Sequence, residues 1–180
     1  MADVVALAGR RIDAVDAKAP RFPPANADLV RGRLDALFRV EANRALVCSA
    51  ACGADLIALD VAGVLGLRRR VVLPFAPERF RKTSVTDRPG DWGPLFDRII
   101  GEVQAAGDVV MLGLDEGDDA TYAAANDAIL DEAEALAGHP SEVVAVIVWE
   151  GGSRGEGDLT EAFATSARAR AHPVREIVTT

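Results

Sequence analysis

The sequence predicts an α/β fold: one three-layer, Rossmann-like domain over residues 1–180, with a mostly parallel sheet of about five to seven strands and helices on both faces. Short apolar runs alternate with stretches of helical periodicity along the whole chain. The chain is 49% hydrophobic but only 5% aromatic, so its core is built from Ala, Val, Leu and Ile. That composition suits helices packed on strands that are covered on both faces. At two places, once early and once late, an apolar run passes through small residues and glycine directly into a helical pattern.

Val4-Val5-Ala6-Leu7-Ala8 reads as a buried strand ending at Gly9. The loop from Arg10 to Pro24 carries Arg10, Arg11, Lys18 and Arg21 but no second or third glycine, so the G-x-G-x-x-G dinucleotide fingerprint is absent. Asn26 is placed to cap a helix running to about Glu41, with Leu29, Leu34, Leu37 and Phe38 facing inward. Ala45 to Cys48 is a second strand, followed by the turn Ser49-Ala50-Ala51-Cys52-Gly53. Ala54, Ile57, Ala58, Val61, Ala62 and Leu65 then recur at helical spacing, and Gly66 stands where a left-handed C-terminal residue is commonly needed. Such a strand-turn-helix leaves N–H groups at the helix start that suit an anion, although an ordinary βα unit has the same pattern.

Arg68-Arg69-Arg70 leads into a third strand, Val71 to Phe75, and reads as a solvated surface run at the edge opposite the ligand-binding one. Ala76 to Gly93 reads as a long loop bringing Arg79, Arg81, Lys82, Ser84 and Arg88 to the ligand-binding edge. An amphipathic helix through Trp92, Phe96 and Ile100 precedes a fourth strand, Asp108 to Leu114. The next helix carries Tyr122, the only tyrosine, on one face with Asn126. Val143 to Trp149 is the most apolar strand and reads as the centre of the sheet. It runs into Glu150 to Thr160, where Gly151, Gly152, Gly155 and Gly157 let the backbone approach a ligand closely. The G-K-[ST] ending of a P-loop is missing. A helix to about Ala171 and a strand from Pro173 to Val178 complete the pattern.

The net charge of −8 disfavours nucleic acid and acidic membrane surfaces. Cys48 and Cys52, the only cysteines, have no nearby histidine pair and form neither a zinc site nor a disulfide framework. His139 and His172 each precede a proline in a turn, which makes them poor catalytic candidates. No metal and no cofactor is expected. No apolar run approaches membrane-spanning length, and the N-terminus is too short and wrongly flanked for a signal peptide, so a cytoplasmic protein is expected.

Several stretches together resemble a known superfamily. They are Gly9-Arg10-Arg11-Ile12-Asp13, Arg21-Phe22-Pro23, Ser49-Ala50-Ala51-Cys52-Gly53-Ala54-Asp55 and Val72-Leu73-Pro74-Phe75. Further on come Asp87-Arg88-Pro89-Gly90-Asp91-Trp92, Tyr122-Ala123-Ala124-Ala125-Asn126, Val148-Trp149-Glu150-Gly151 and Gly157-Asp158-Leu159-Thr160. In order and spacing these resemble the SLOG superfamily, the Rossmann-like group that joins DprA/Smf proteins with Lonely-guy proteins. The similarity spans nearly the whole chain and is nearest to the branch found alone or fused to signalling domains.

The resemblance implies a nucleotide or nucleotide-derived ligand across the carboxyl ends of the strands. The residues it carries over are Gly9, Arg10, Ser49, Gly53, Asp55, Tyr122, Asn126, Gly151, Gly152, Gly157 and Thr160. Arg10 would supply a charge-assisted contact to phosphate. Lonely-guy phosphoribohydrolases carry P-G-G-x-G-T-x-x-E; here Trp149-Glu150 replaces the proline, and Ala164 stands where the glutamate should fall. Three functions follow. The first is binding or sensing of a small-molecule nucleotide, as a homo-oligomer or with a fused or partner signalling domain. The second is N-glycosidic or phosphoribosyl hydrolysis, with Glu150 or Glu161 as the catalytic carboxylate. The third is a structural Rossmann domain without ligand.

Overall fold

The computed structural model describes residues 4–40 and 43–180. Among them six strands form one all-parallel sheet: β1 (Val4–Gly9), β2 (Ala45–Cys48), β3 (Arg68–Leu73), β4 (Val109–Met111), β5 (Val143–Trp149) and β6 (Val174–Val178). Their order across the sheet is β4-β3-β2-β1-β5-β6. The helices are α1 (Ala27–Val40), α2 (Ala54–Val64), α3 (Pro77–Ser84), α4 (Trp92–Ala105), α5 (Asp119–Ala137) and α6 (Leu159–Ala169). The predicted three-layer Rossmann-like architecture is therefore the observed one.

Strand alternation divides the core in two. Val5 and Leu7 of β1 point with Leu46, Val71 and Val146 toward α1, α2 and α4. Val4, Ala6 and Ala8 point with Val47, Val72 and Ile147 toward α5 and α6. Right-handed crossovers explain the split: the chain steps outward from β1 to β4 with helices on one face, then returns through α5 to β5 with helices on the other. The reversal falls between β1 and β5. Loops leaving these two neighbours diverge to opposite faces and open a crevice at their carboxyl ends.

Several sequence expectations are corrected. β5 lies next to an edge strand, and β2 and β1 hold the centre. Its unbroken apolar run reflects pairing with both β1 and β6 and cover on both faces, which any interior strand can have. Arg68-Arg69-Arg70 belongs to β3 instead of preceding it. Arg68 and Arg70 both bind the buried Asp108, Arg70 also binds Glu132 at 2.7 Å, and Arg69 binds Glu102 at 2.8 Å. The basic run is neutralised in place.

The segment 76–93 is not all loop, for α3 occupies its first half. Pro77 stands in the first turn, where its missing N–H costs nothing, and Phe80 and Ser84 are its buried residues. One inward aromatic in eight residues leaves no periodicity to detect. Asn26 closes a short 3-10 turn, and its Nδ2 donates to the Thr179 carbonyl at 2.9 Å. In α1 the buried stripe is Val30, Leu34 and Phe38, with Leu29 turned outward. The expected helix end at Glu41 lies outside the described residues. No described helix is long and apolar enough to cross a membrane.

Candidate functional site

The crevice at the β1/β5 reversal holds a cleft of about 340 Å³. Its walls are built by tight backbone packing. Gly9 ends β1 where an added Cβ would lie 2.5 Å from the Ala54 Cβ and 2.8 Å from the Val148 Cβ, so only glycine lets β1, α2 and β5 meet. Gly53 has φ +107°, and a Cβ there would approach the Ile12 nitrogen to 2.7 Å. Freed of that side chain, residues 10–12 lie antiparallel against the turn before α2. Ala54 N–H donates to the Arg10 carbonyl at 3.1 Å, and Ile12 N–H donates to the Cys52 carbonyl at 3.3 Å.

This packing takes up several N–H groups of the early turn. Ala54 N–H is taken by Arg10, Cys52 N–H by the Ser84 carbonyl at 3.0 Å, and Ala51 N–H by the Asp55 carboxylate at 3.2 Å. The late turn is also filled from within. Asp158 caps α6, accepting from Thr160 N–H at 3.0 Å and Glu161 N–H at 3.2 Å, while Arg154 N–H reaches its other oxygen at 2.7 Å. A carboxylate of the chain thus sits where a phosphate would bind the helix start.

Arg10 holds that carboxylate. It is 5% exposed and reaches Asp158 through Nη1 at 2.7 Å and Nη2 at 2.8 Å. Its Nε donates to Glu150 at 2.6 Å, and Nη2 also reaches the Gly152 carbonyl at 3.1 Å. Burial opposes ionisation of Asp158, but the Arg10 hydrogen bonds and the Arg154 and Glu161 N–H groups outweigh it and hold the carboxyl below the usual carboxylate range. Glu150 is lowered in the same sense, against its own desolvation, by Arg10 and Arg21. Arg10 borders the cleft, yet its donors serve the protein.

Of the residues singled out in the sequence, Gly9, Arg10, Ser49, Asp55, Tyr122, Asn126 and Thr160 come together in the cleft lining. Gly53, Gly151, Gly152 and Gly157 do not line it. Tyr122 stands edge-on to Phe75, with ring centroids 6.4 Å apart, and Asn126 donates to the Leu159 carbonyl at 3.1 Å, tying α5 to the start of α6. Neither Glu150 nor Glu161 lines the cleft. Glu150 is bound by Arg10 and by Arg21 at 2.6 Å, and Glu161 accepts from the Ser153 hydroxyl.

Other lining residues were not singled out as site residues. Arg11, Arg21, Arg88 and Arg154 border the cleft, together with Asp13, Asp119, Phe80 and Ser84. With Arg10 the lining holds five arginines against three aspartates, Asp13, Asp55 and Asp119. The carboxylates that pair with these arginines, Asp87, Glu150 and Asp158, stand outside the lining, so the cleft wall itself presents more arginine than aspartate. The four rim arginines keep access to water: Arg21 is paired with Glu150, Arg11 and Arg88 share Asp87, and Arg154 lies 3.9 Å from Asp158 with 44% of its side chain exposed. Their common signal in the sequence was position, since each lies in a connection that leaves a strand's carboxyl end, Arg88 after the intervening α3.

Asp55 differs from the other carboxylates. It lies in the first turn of α2, is 7% exposed, and has no ion-pair partner among the described residues. Burial raises its carboxyl from 3.8 to about 7, with the Ala51 N–H and the Arg11 charge offsetting only part. Among the described residues no cluster of three or more His, Cys, Asp or Glu is placed to hold a metal ion. No protein-family model matches the chain, and no curated protein matches it in sequence.

Proposed function

We propose that this cleft binds a nucleotide or nucleotide-derived anion, and that the protein is a binding or sensing module. The observation that carries the reading is the ring of arginines on an acidic chain, set at the point where the strand order reverses. Arg11, Arg21, Arg88 and Arg154 receive the phosphate, and Tyr122, Phe80, Pro74 and Ile129 offer apolar surface to a ring system. Glu150 and Glu161 direct their carboxylates to protein partners, which supports binding over turnover. A cytoplasmic location is part of the same proposal, and the free, buried Cys48 and Cys52 are compatible with a reducing compartment.

A thermal-shift series with AMP, ADP, cyclic AMP, NAD, ADP-ribose and inorganic phosphate tests this. A binder at 100 times its dissociation constant adds about 2.7 kcal/mol, roughly 5–10 °C for a chain of this size. The reading fails if no compound shifts the transition, or if the shift survives loss of both Arg88 and Arg154.

A further inference from the structure

We propose that Asp55 acts in this cleft as a neutral carboxylic acid, donating its proton in a hydrogen bond to an uncharged acceptor atom on the ligand's ring. The inference rests on the nucleotide reading and adds an orientation to it: phosphate on the arginine rim, ring against the floor.

Geometry isolates Asp55 from the rim charges. One carboxyl oxygen, Oδ2, accepts the Ala51 N–H, and among the described residues no hydrogen-bond donor meets the other. What exposure the side chain keeps is toward the cleft it lines. No arginine of the lining pairs with Asp55: Arg10 meets Asp158 and Glu150, Arg11 and Arg88 lie against Asp87, Arg21 meets Glu150, and Arg154 lies near Asp158.

The groups facing Asp55 do not supply a counter-charge. From the loop after β1, the Arg11 charge acts at a distance. From the end of β2, the Cys48 thiol is itself pushed up, first by burial and then by Asp55. Across the cleft α5 presents Asp119 and Tyr122, and the segment after α3 presents Arg88. A carboxylate on this floor would be buried and unpaired, whereas a carboxylic acid needs only an acceptor. The ligand supplies one, and binding above neutral pH therefore takes up a proton.

The test compares wild type with Asp55→Asn, whose amide keeps an acceptor for Ala51 and a donor for the cleft but cannot ionise. AMP is the probe, followed by isothermal titration at pH 6 and pH 8.5. Wild-type affinity relative to Asp55→Asn should fall about 30-fold between these values, tenfold per pH unit above a carboxyl near 7. The ratio removes the titration of the AMP phosphate, which is common to both proteins. At pH 8.5, measured in two buffers of different ionisation enthalpy, wild type should take up about one more proton per AMP than the variant. A purely structural Asp55 would not move that count. A flat affinity ratio with equal proton counts overturns the assignment and leaves the nucleotide reading intact, as does loss of AMP binding in Asp55→Asn at pH 6. No binding to either protein at either pH fails the nucleotide reading and takes this assignment with it.

Discussion

Arg10 and Asp158, 148 residues apart in the chain, meet through two parallel hydrogen bonds of 2.7 and 2.8 Å with both side chains out of water. This pair ties the loop after β1 to the helix start after β5, so the two walls of the cleft are held by one contact. Removing the arginine leaves a buried carboxylate without its counter-charge.

Arg10→Ala should therefore destabilise the fold by about 3–5 kcal/mol, read as a lower urea midpoint. Arg10→Lys should recover only part, because an ammonium cannot form the paired fork. The acid limb gives a second check. Asp158 and Glu150 ionise below their ordinary range, so their stabilisation is present above the unfolded carboxylate values and is lost as pH falls through the folded ones. Wild type should lose stability steeply below about pH 4, and Arg10→Ala should show a shallower slope. Equal acid slopes would detach Arg10 from these carboxylates.

Asp55 carries the opposite sign. Its folded value is raised to about 7 from 3.8, so the fold is free of its cost below pH 3.8 and bears it in full above pH 7. The difference corresponds to about 4 kcal/mol. The melting-temperature gap between Asp55→Asn and wild type should widen by roughly 10 °C from pH 4 to pH 8. A gap independent of pH would mean that the carboxyl titrates normally.

Gly9→Ala places a methyl 2.5 Å from the Ala54 Cβ and 2.8 Å from the Val148 Cβ. The expected cost is about 1–3 kcal/mol in thermal or urea unfolding. Because the tighter contact is Ala54, adding Ala54→Gly should return part of it, with a coupling of at least about 0.5 kcal/mol in the double-mutant cycle. Simple additivity would place the strain elsewhere.

Arg88→Ala and Arg154→Ala should each weaken AMP binding about fivefold in calorimetric titration, with the loss shrinking as salt is raised. Arg69→Ala, at the amino-terminal end of β3 and bound to Glu102, should leave affinity unchanged. An effect of Arg69 equal to that of Arg88 would put the ligand at the other end of the sheet.

The sheet was legible because its strands are runs of Val, Ile, Leu and Ala that no other element would bury, as in Val143 to Trp149. What the pattern hides is neighbourhood. Glu150 reads as a candidate catalytic carboxylate and Asp158 as part of a glycine-rich loop, since nothing local reveals a buried arginine near the other end of the chain. Arg68 and Arg70 likewise read as surface charge until Asp108 is folded between them. Helix α3 escaped because its buried residues are Phe80 and Ser84, too few to set a period. Seven of the residues carried over from the family resemblance line the cleft, whereas glycines such as Gly53 serve chain packing. Periodicity reports how a segment is buried; it does not report which distant charge completes it.

The Asp158 cap on α6 also changes what the protein can be mistaken for by its surroundings. A vacant helix start attracts any small oxyanion, and bulk phosphate would compete there with every larger ligand. Here the position is permanently occupied by a group that cannot diffuse away, insulated by Arg10 and by backbone N–H groups. Selection is thereby moved outward to side chains that can adjust, and a visitor must match several of them at once to gain a hold.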